Sequence, residues 1–329
     1  MCKLFFDCSG ITVGHATDAG FGTGVTAILC ARPVVASVAA LGGASAGHDL
    51  AALDPAATVG TVDAIVLSGG SAYGLAACGG VQDWLRAAGR GTPFAGRRVA
   101  LVAGAILFDL GHNDPARWRP CSPYRDLGWA AADAARPVTP ALGSVGAATG
   151  AVTATLKGGF GLATTTTTAG HSVVAVAAVN AIGTATIGDG PHFWAAPFEC
   201  DGEFGGLGWP AAMPPEASTP RLKRQAPATT LGVVMTDAKL TKPMAHRLAL
   251  MAHDGLARAV LPAHAPMDGD TIFAVSTGQR PLADPVDELT ELGFAATLAF
   301  ARAVARGVHA ATPLPGFPGL PPTWGQRFG

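Results

Sequence analysis

The chain has 329 residues, 49% of them apolar and 14% charged, with a formal net charge of −1. That length buries a sizeable core, while the charge balance excludes an electrostatic footprint for nucleic acid. Apolar runs fall well short of the ~20 residues of a membrane span, and no basic-then-apolar opening marks a secretory signal. Cys2, Cys8, Cys30, Cys78, Cys121 and Cys200 are scattered without CxxC spacing. They read as reduced thiols of a soluble cytoplasmic protein. A surface with so few charges favours self-association.

In chain order, runs rich in Val, Ile and Ala predict strands at 25–31, 34–41, 64–67, 99–107, 173–179, 231–236 and 271–276. Several are apolar on both alternating faces and need cover on both sides. Helices are predicted over 71–88, 126–135, 241–260 and 284–309. The first is crowded with small residues (Gly74, Ala76, Ala77, Gly79, Gly80), a sign of close backbone approach. The third has the plainest start, with Thr241 as N-cap and Pro243 in the first turn. Residues 200–228 carry Pro210, Pro214, Pro215, Pro220 and Pro227 and read as a linker. Arg221, Lys223 and Arg224 within it read as solvated. Residues 313–329 read as an irregular tail lying on the surface or on a partner. Alternating strands and helices argue for one layered α/β domain spanning 1–329, divided by the linker into segments rather than into domains.

The most informative stretch is Ala226-Pro227-Ala228-Thr229-Thr230, followed at once by a short apolar strand. A hydroxyl residue heading a buried strand, just after a loop that can be cut, is what a self-cleaving N-terminal-nucleophile hydrolase requires. Scission before Thr229 yields a nucleophile and its base in one residue. The plainer reading is a β-branched residue at a strand start. Asp268-Gly269-Asp270 precedes the strand at 271–276, which should lie beside 231–236 after a helical crossover. Either carboxylate would then reach Thr229 and orient it. The same triplet also reads as a divalent-metal site, weakly for want of further oxygen ligands, or as a plain turn.

Other patterns carry less. Lys157-Gly158-Gly159-Phe160-Gly161 lacks the phosphate-loop spacing, and Gly69-Gly70-Ser71-Ala72-Tyr73 lacks the serine-hydrolase elbow. A glycine pair before a helix can cradle an anion, but tight packing is the simpler account. His246 and His253 read as hydrogen-bonded packing residues. No cofactor or metal is expected. The competing classes are a nucleotide binder built on the glycine loops and a non-catalytic scaffold.

Taken together, the chain resembles the DmpA-type aminopeptidases and the related nylon-oligomer hydrolases. The matching residues include Gly10-Ile11-Thr12-Val13-Gly14-His15, Gly69 to Leu75, Ile106 to Leu110, Gly143 to Gly146, Lys157 to Gly161, and Ala178-Val179-Asn180. The most specific block runs from Thr229 through Ala252-His253-Asp254-Gly255 to Asp268-Gly269-Asp270-Thr271, and its double threonine is similar to the nylon-oligomer branch. The resemblance implies a four-layer αββα sandwich and a precursor that cleaves itself into intertwined chains 1–228 and 229–329. It also implies tetramers or larger assemblies of these pairs, acting on small peptides or amides. By position it makes Thr229 the nucleophile, Asp268 and Asp270 its polarising carboxylates, Lys157 an active-site lysine and Asn180 an oxyanion contributor. Two positions depart from it. Phe108 stands where relatives have a tyrosine, and Ala228 stands where they have Asn or Gly. On the scaffold reading these mark a decayed site of the same fold.

Overall fold

A computed structural model describes residues 9–118, 120–223 and 227–329. In chain order the elements are β1 (Ile11–Asp18), β2 (Thr23–Ala40), β3 (Gly47–His48), β4 (Thr61–Ser68), α1 (Ala76–Ala87), β5 (Thr92–Phe94), β6 (Arg97–Val99) and β7 (Val102–Ile106). They continue with α2 (Tyr124–Asp133), β8 (Phe160–Thr166), β9 (Ser172–Asn180), β10 (Thr229–Ala238), α3 (Lys242–Ala257), β11 (Thr271–Arg280), α4 (Asp287–His309) and α5 (Trp324–Phe328).

The strand β2 organises the fold. It joins the two runs expected separately, and its ladder to β4 breaks register between Leu29 and Val34, where Ala31 and Arg32 are exposed and Pro33 is half-buried. A proline cannot donate to a ladder and is tolerated at such an irregularity. Ahead of the break β2 pairs with β1 and β4; beyond it Val34 and Val35 still pair with β4, and residues 35–40 pair with β11. One continuous sheet, ordered β3-β7-β4-β2-β11-β10-β9-β8 with β1 beside β2, therefore doubles over on itself.

Three apolar layers follow. Ile11, Val13, Ile28 and Leu67 from one half of the sheet meet Leu162, Val176, Val233 and Phe273 from the other. The outer face of β8–β11 buries Ala175, Val234 and Ala274 against Leu248, Ala252, Phe300 and Val304 of α3 and α4. The outer face of β1, β2, β4 and β7 is covered by α1 and α2 through Val81, Leu85, Tyr124 and Ala131. Helix, sheet, sheet and helix make the αββα sandwich. Strands such as β9 are apolar on both faces because both faces are covered.

β1 and β8 are additions to the predicted strands. β1 carries a Gly and a His, and β8 ends in three threonines, so neither shows a Val/Ile run. β8 is positioned instead by what it lacks. A Cβ on Gly161 would fall 1.8 Å from the Ala303 carbonyl oxygen, and one on Gly159 2.0 Å from that of Gly307. The glycines of the Lys157–Gly161 motif thus let β8 and its lead-in touch the backbone of α4.

Two irregular segments are held by isolated contacts. The described part of the 200–228 stretch is pinned at its start rather than loose. Glu203 is buried and ion-paired to Arg302 Nε at 2.5 Å, with Arg306 Nε at 3.4 Å, and the buried Phe204 ring meets Phe193 edge-on. Isolated anchors of this kind leave no periodicity to read. The tail also folds back. Thr323 caps α5, and Trp324 donates its indole N–H to the Pro191 carbonyl at 3.0 Å. Cys200 is disulfide-bonded, so the cysteines are not all reduced thiols; linear spacing cannot show which thiols folding brings together. Among the described residues no helix is long and apolar enough to cross a membrane.

Gly161→Ala should force α4 off β8 and destabilise the fold by about 1–3 kcal/mol or more, as overpacking of a close contact does. Denaturant unfolding measures this, and an unchanged midpoint would contradict the close-contact account.

Candidate active site

Thr229 is the first residue of β10, 4% exposed, and it lies directly across the antiparallel ladder from Asn180 at the end of β9. On its other side β10 runs parallel to β11, with Leu231 opposite Thr271. The connection between them is α3, the crossover that parallel strands need. Thr241 starts that helix, its hydroxyl accepting the Met244 amide at 3.4 Å. This arrangement brings the Asp268-Gly269-Asp270 turn alongside Ala228 and Thr229, and an isolated parallel bridge joins Ala228 to Asp268.

The carbonyl of Ala228 is the focus. It accepts the Gly269 amide at 2.8 Å, and the Thr229 hydroxyl lies 2.5 Å from the same oxygen. A Cβ on Gly269 would come within 2.3 Å of Thr229 Oγ1. Only glycine admits the hydroxyl there. Asp270 is 1% exposed, and its Oδ1 accepts the Thr230 amide at 2.7 Å. Its Oδ2 takes both the His264 amide at 3.1 Å and the His264 ring Nδ1 at 2.8 Å. Asp268 is equally buried, yet its Oδ1 has no hydrogen-bond partner. Burial first, then the adjacent Asp270, push its carboxyl up to about 8.

Asn180 links this centre to a cavity of about 460 Å³. Its Oδ1 accepts the Val152 amide at 3.1 Å and the Lys223 ammonium at 2.8 Å, while Nδ2 donates to the Phe108 carbonyl at 3.0 Å. Phe108, Val152 and Lys223 all line the cavity, as do residues 316–321 of the tail. One Nδ2 hydrogen of Asn180 remains beyond the bond to Phe108. Lys157 is buried, and its three donors are all taken by the carbonyls of Ala148 (3.3 Å), Ala151 (2.8 Å) and Gly158 (3.1 Å). Desolvation lowers it to about 7. Its ammonium ties the wall together instead of projecting into the cavity.

Lys223, His264, Gly269 and the tail are the participants that sequence reasoning missed. Lys223 stood in the cluster read as solvated. Arg221 does face solvent, paired with Asp189, and Arg224 lies outside the described residues, but Lys223 turns inward. Burial lowers it to about 8. His264 has a left-handed backbone, φ 58°, just after Pro262 and Ala263. A histidine between a proline and an acidic pair was the one available hint.

The remaining motifs are structural. Gly69 and Gly70 make room for the Asp109 carboxylate and the Tyr124 ring. Asp109 there accepts the Thr23 hydroxyl at 2.5 Å and the Gly70 amide at 2.8 Å. His246 and His253 each bond a carbonyl of β2, of Val38 and Ala39. Among the described residues no three His, Cys, Asp or Glu side chains group as metal ligands.

Residues 4–320 match the model of peptidase family S58. An uncharacterized aminopeptidase of Mycobacterium tuberculosis is 39% identical over 334 residues, covering 95% of each chain. A 6-aminohexanoate-oligomer endohydrolase of Paenarthrobacter ureafaciens is 28% identical, covering 85% of this chain and 76% of its own. Among solved structures, the L-aminopeptidase D-Ala-esterase/amidase of Ochrobactrum anthropi, described as a variant of the Ntn-hydrolase fold, aligns with a TM-score of 0.67. It is 20% identical and covers 94% of this chain and 87% of that one. A Burkholderia sp. β-aminopeptidase aligns with a TM-score of 0.66 at 23% identity, over 92% and 85%. The two structural likenesses speak to the fold alone, and nothing among the matches favours a non-catalytic scaffold. On the family match and the curated relatives together, the chain belongs to peptidase family S58 and is a hydrolase of peptide or amide bonds.

Proposed function

We propose that the protein is an N-terminal-threonine amidohydrolase that matures by scission between Ala228 and Thr229 and then cleaves small peptides or linear amides. The observation that carries this reading is the Ala228 carbonyl. Its oxygen accepts the Gly269 amide at 2.8 Å, with the Thr229 hydroxyl 2.5 Å away. A nucleophile held beside a carbonyl that is already hydrogen-bonded gains both proximity and charge stabilisation.

In maturation, Asp268 in its ionised form takes the Thr229 hydroxyl proton, and Oγ1 attacks the Ala228 carbonyl carbon. The Gly269 amide holds the oxyanion. The C–N bond breaks, the proton passes to the Thr229 nitrogen, and an ester joins Ala228 to Oγ1. Water hydrolyses that ester, leaving a carboxylate on Ala228 and a free amine on Thr229. In turnover the amine, with a reference pKa of ~7.7–8.0, takes the hydroxyl proton as general base. Oγ1 attacks the substrate carbonyl, the leaving amine departs with the proton, and water releases the acid from the acyl-enzyme. Asp270, fixed by His264 and by the Thr230 amide, holds the β10 start in register. Asn180 contributes its second amide hydrogen to the substrate oxyanion. Lys157 and Lys223 add positive charge near the amine, which favours its neutral, basic form.

Phe108 supplies no hydroxyl, so the oxyanion rests on amides. Ala228, small and without an amide side chain of its own, leaves the hydroxyl clear access to its carbonyl.

Three outcomes test this. Thr229→Ala should stay a single 32.9 kDa chain and lose amide hydrolysis; retained hydrolysis would move the nucleophile elsewhere. Gly269→Ala, which displaces Oγ1, should slow scission by about 100-fold, read as the half-life of the intact band on denaturing gels; an unaltered half-life counts against the proposed attack geometry. The pH dependence has a definite sign. A carboxyl raised to about 8 is mostly protonated at neutral pH and cannot accept a proton. Scission should therefore accelerate as pH rises from 6 towards about 8 and level off above it, and Asp268→Asn should abolish that rise. A scission rate flat over this range would remove Asp268 from the base role.

A further inference from the structure

The cavity beside Asn180 has mostly apolar walls, contributed by Phe108, Val152, Phe317 and Leu320. Its two charged lining residues are Asp109 and Lys223, and they are not equivalent. Asp109 is 3% exposed, with its oxygens bonded to the Thr23 hydroxyl and the Gly70 amide. Burial pushes its carboxyl up, and both of its oxygens are already engaged by protein donors. His112, also on the wall, turns Nε2 to the Gly22 carbonyl at 3.0 Å.

Lys223 is the under-used group. It donates to Asn180 Oδ1 at 2.8 Å and, at the longer distance of 3.4 Å, to the Val152 carbonyl. An ammonium has three donors, so one is left over. Among the described residues no carboxylate stands within ion-pair distance of it, although Asp268 and Asp109 are near enough to stabilise its charge. A half-buried cation without a direct counter-ion is incompletely compensated, and an incoming anion corrects that. Apolar walls with one convergent cation fit a ligand whose apolar body ends in an anion. The ammonium also sits one residue from the nucleophile, because Asn180 bonds Lys223 and faces Thr229 across the ladder.

Resting on Thr229 as nucleophile, we infer that Lys223 anchors the substrate and that the enzyme selects small peptides or amides carrying a carboxylate close to the scissile bond. The ligand is a carboxylate of the substrate itself, and the side of the bond on which it lies is read from the experiment.

The test uses cleaved, full-length enzyme and matched substrate pairs. On the acyl side these are aspartyl and asparaginyl anilides; on the leaving side, dipeptides and their C-terminal amides. In at least one pair kcat/KM should favour the carboxylate member by about tenfold or more, the scale of a hydrogen-bonded charge pair. That ratio should fall towards one in Lys223→Met and persist in Lys223→Arg, which keeps the charge and covers the case of a poorly folded Met variant. Equal rates within both pairs for the wild-type enzyme, or a preference that survives in Lys223→Met, would overturn the inference while leaving the hydrolase reading intact. No hydrolysis of any pair by cleaved protein would sink that reading, and this inference with it.

Discussion

The parallel pairing of β10 with β11 is the constraint on which the rest of the structure depends. Two parallel strands need a crossover, here α3, and the crossover sets the starts of both strands side by side. The start of one carries Thr229, and the turn into the other carries Asp268, Gly269 and Asp270. Once the ladder forms, the Gly269 amide meets the Ala228 carbonyl, and the absence of a Cβ leaves space for the threonine hydroxyl. Helix–sheet packing far from the site thus fixes the register of the chemistry.

The surrounding layers serve the same geometry. The bend in β2 lets one sheet close over itself, so β9 and β10 are buried on both faces and cannot slip without exposing Val176 or Val233 on one side and Ala175 or Val234 on the other. Close backbone contact between β8 and α4 holds the outer edge of that half-sheet. The buried Glu203–Arg302 pair, reinforced by Arg306, fixes the start of the segment that precedes β10. Removing either partner would strand a buried charge, a far greater cost than a surface pair carries. That segment is held at Glu203 and, twenty residues on, at Lys223.

Much of this was legible in the sequence, for identifiable reasons. Thr229 stands out because a Pro-rich segment meets an apolar strand without transition, and the β10–α3–β11 unit because α3 has a clear cap followed by a proline in its first turn. Asp268 and Asp270 follow from that unit by register. Lys157 and Asn180 came from family resemblance, and the structure gives them partners that spacing alone does not reveal: three carbonyls for one, a lysine and two backbone groups for the other. Lys223 was misread because a basic residue among prolines looks solvated whichever way it turns. Where the tail docks was not legible because five prolines and no periodicity say nothing about its receptors, while Trp324 and Pro322 secure it one contact at a time. Folded-back segments of this kind are visible only once their receptors, here Pro191 and the Lys157 amide, are in place.

The central claim is that cutting one peptide bond creates the catalytic base. The most direct measurement follows freshly purified protein over time, counting amino termini at Thr229 by mass spectrometry while assaying amide hydrolysis on the same samples. Activity should rise in proportion to the Thr229 termini and be absent from uncut material. Full activity in protein whose 228–229 bond is intact would contradict it.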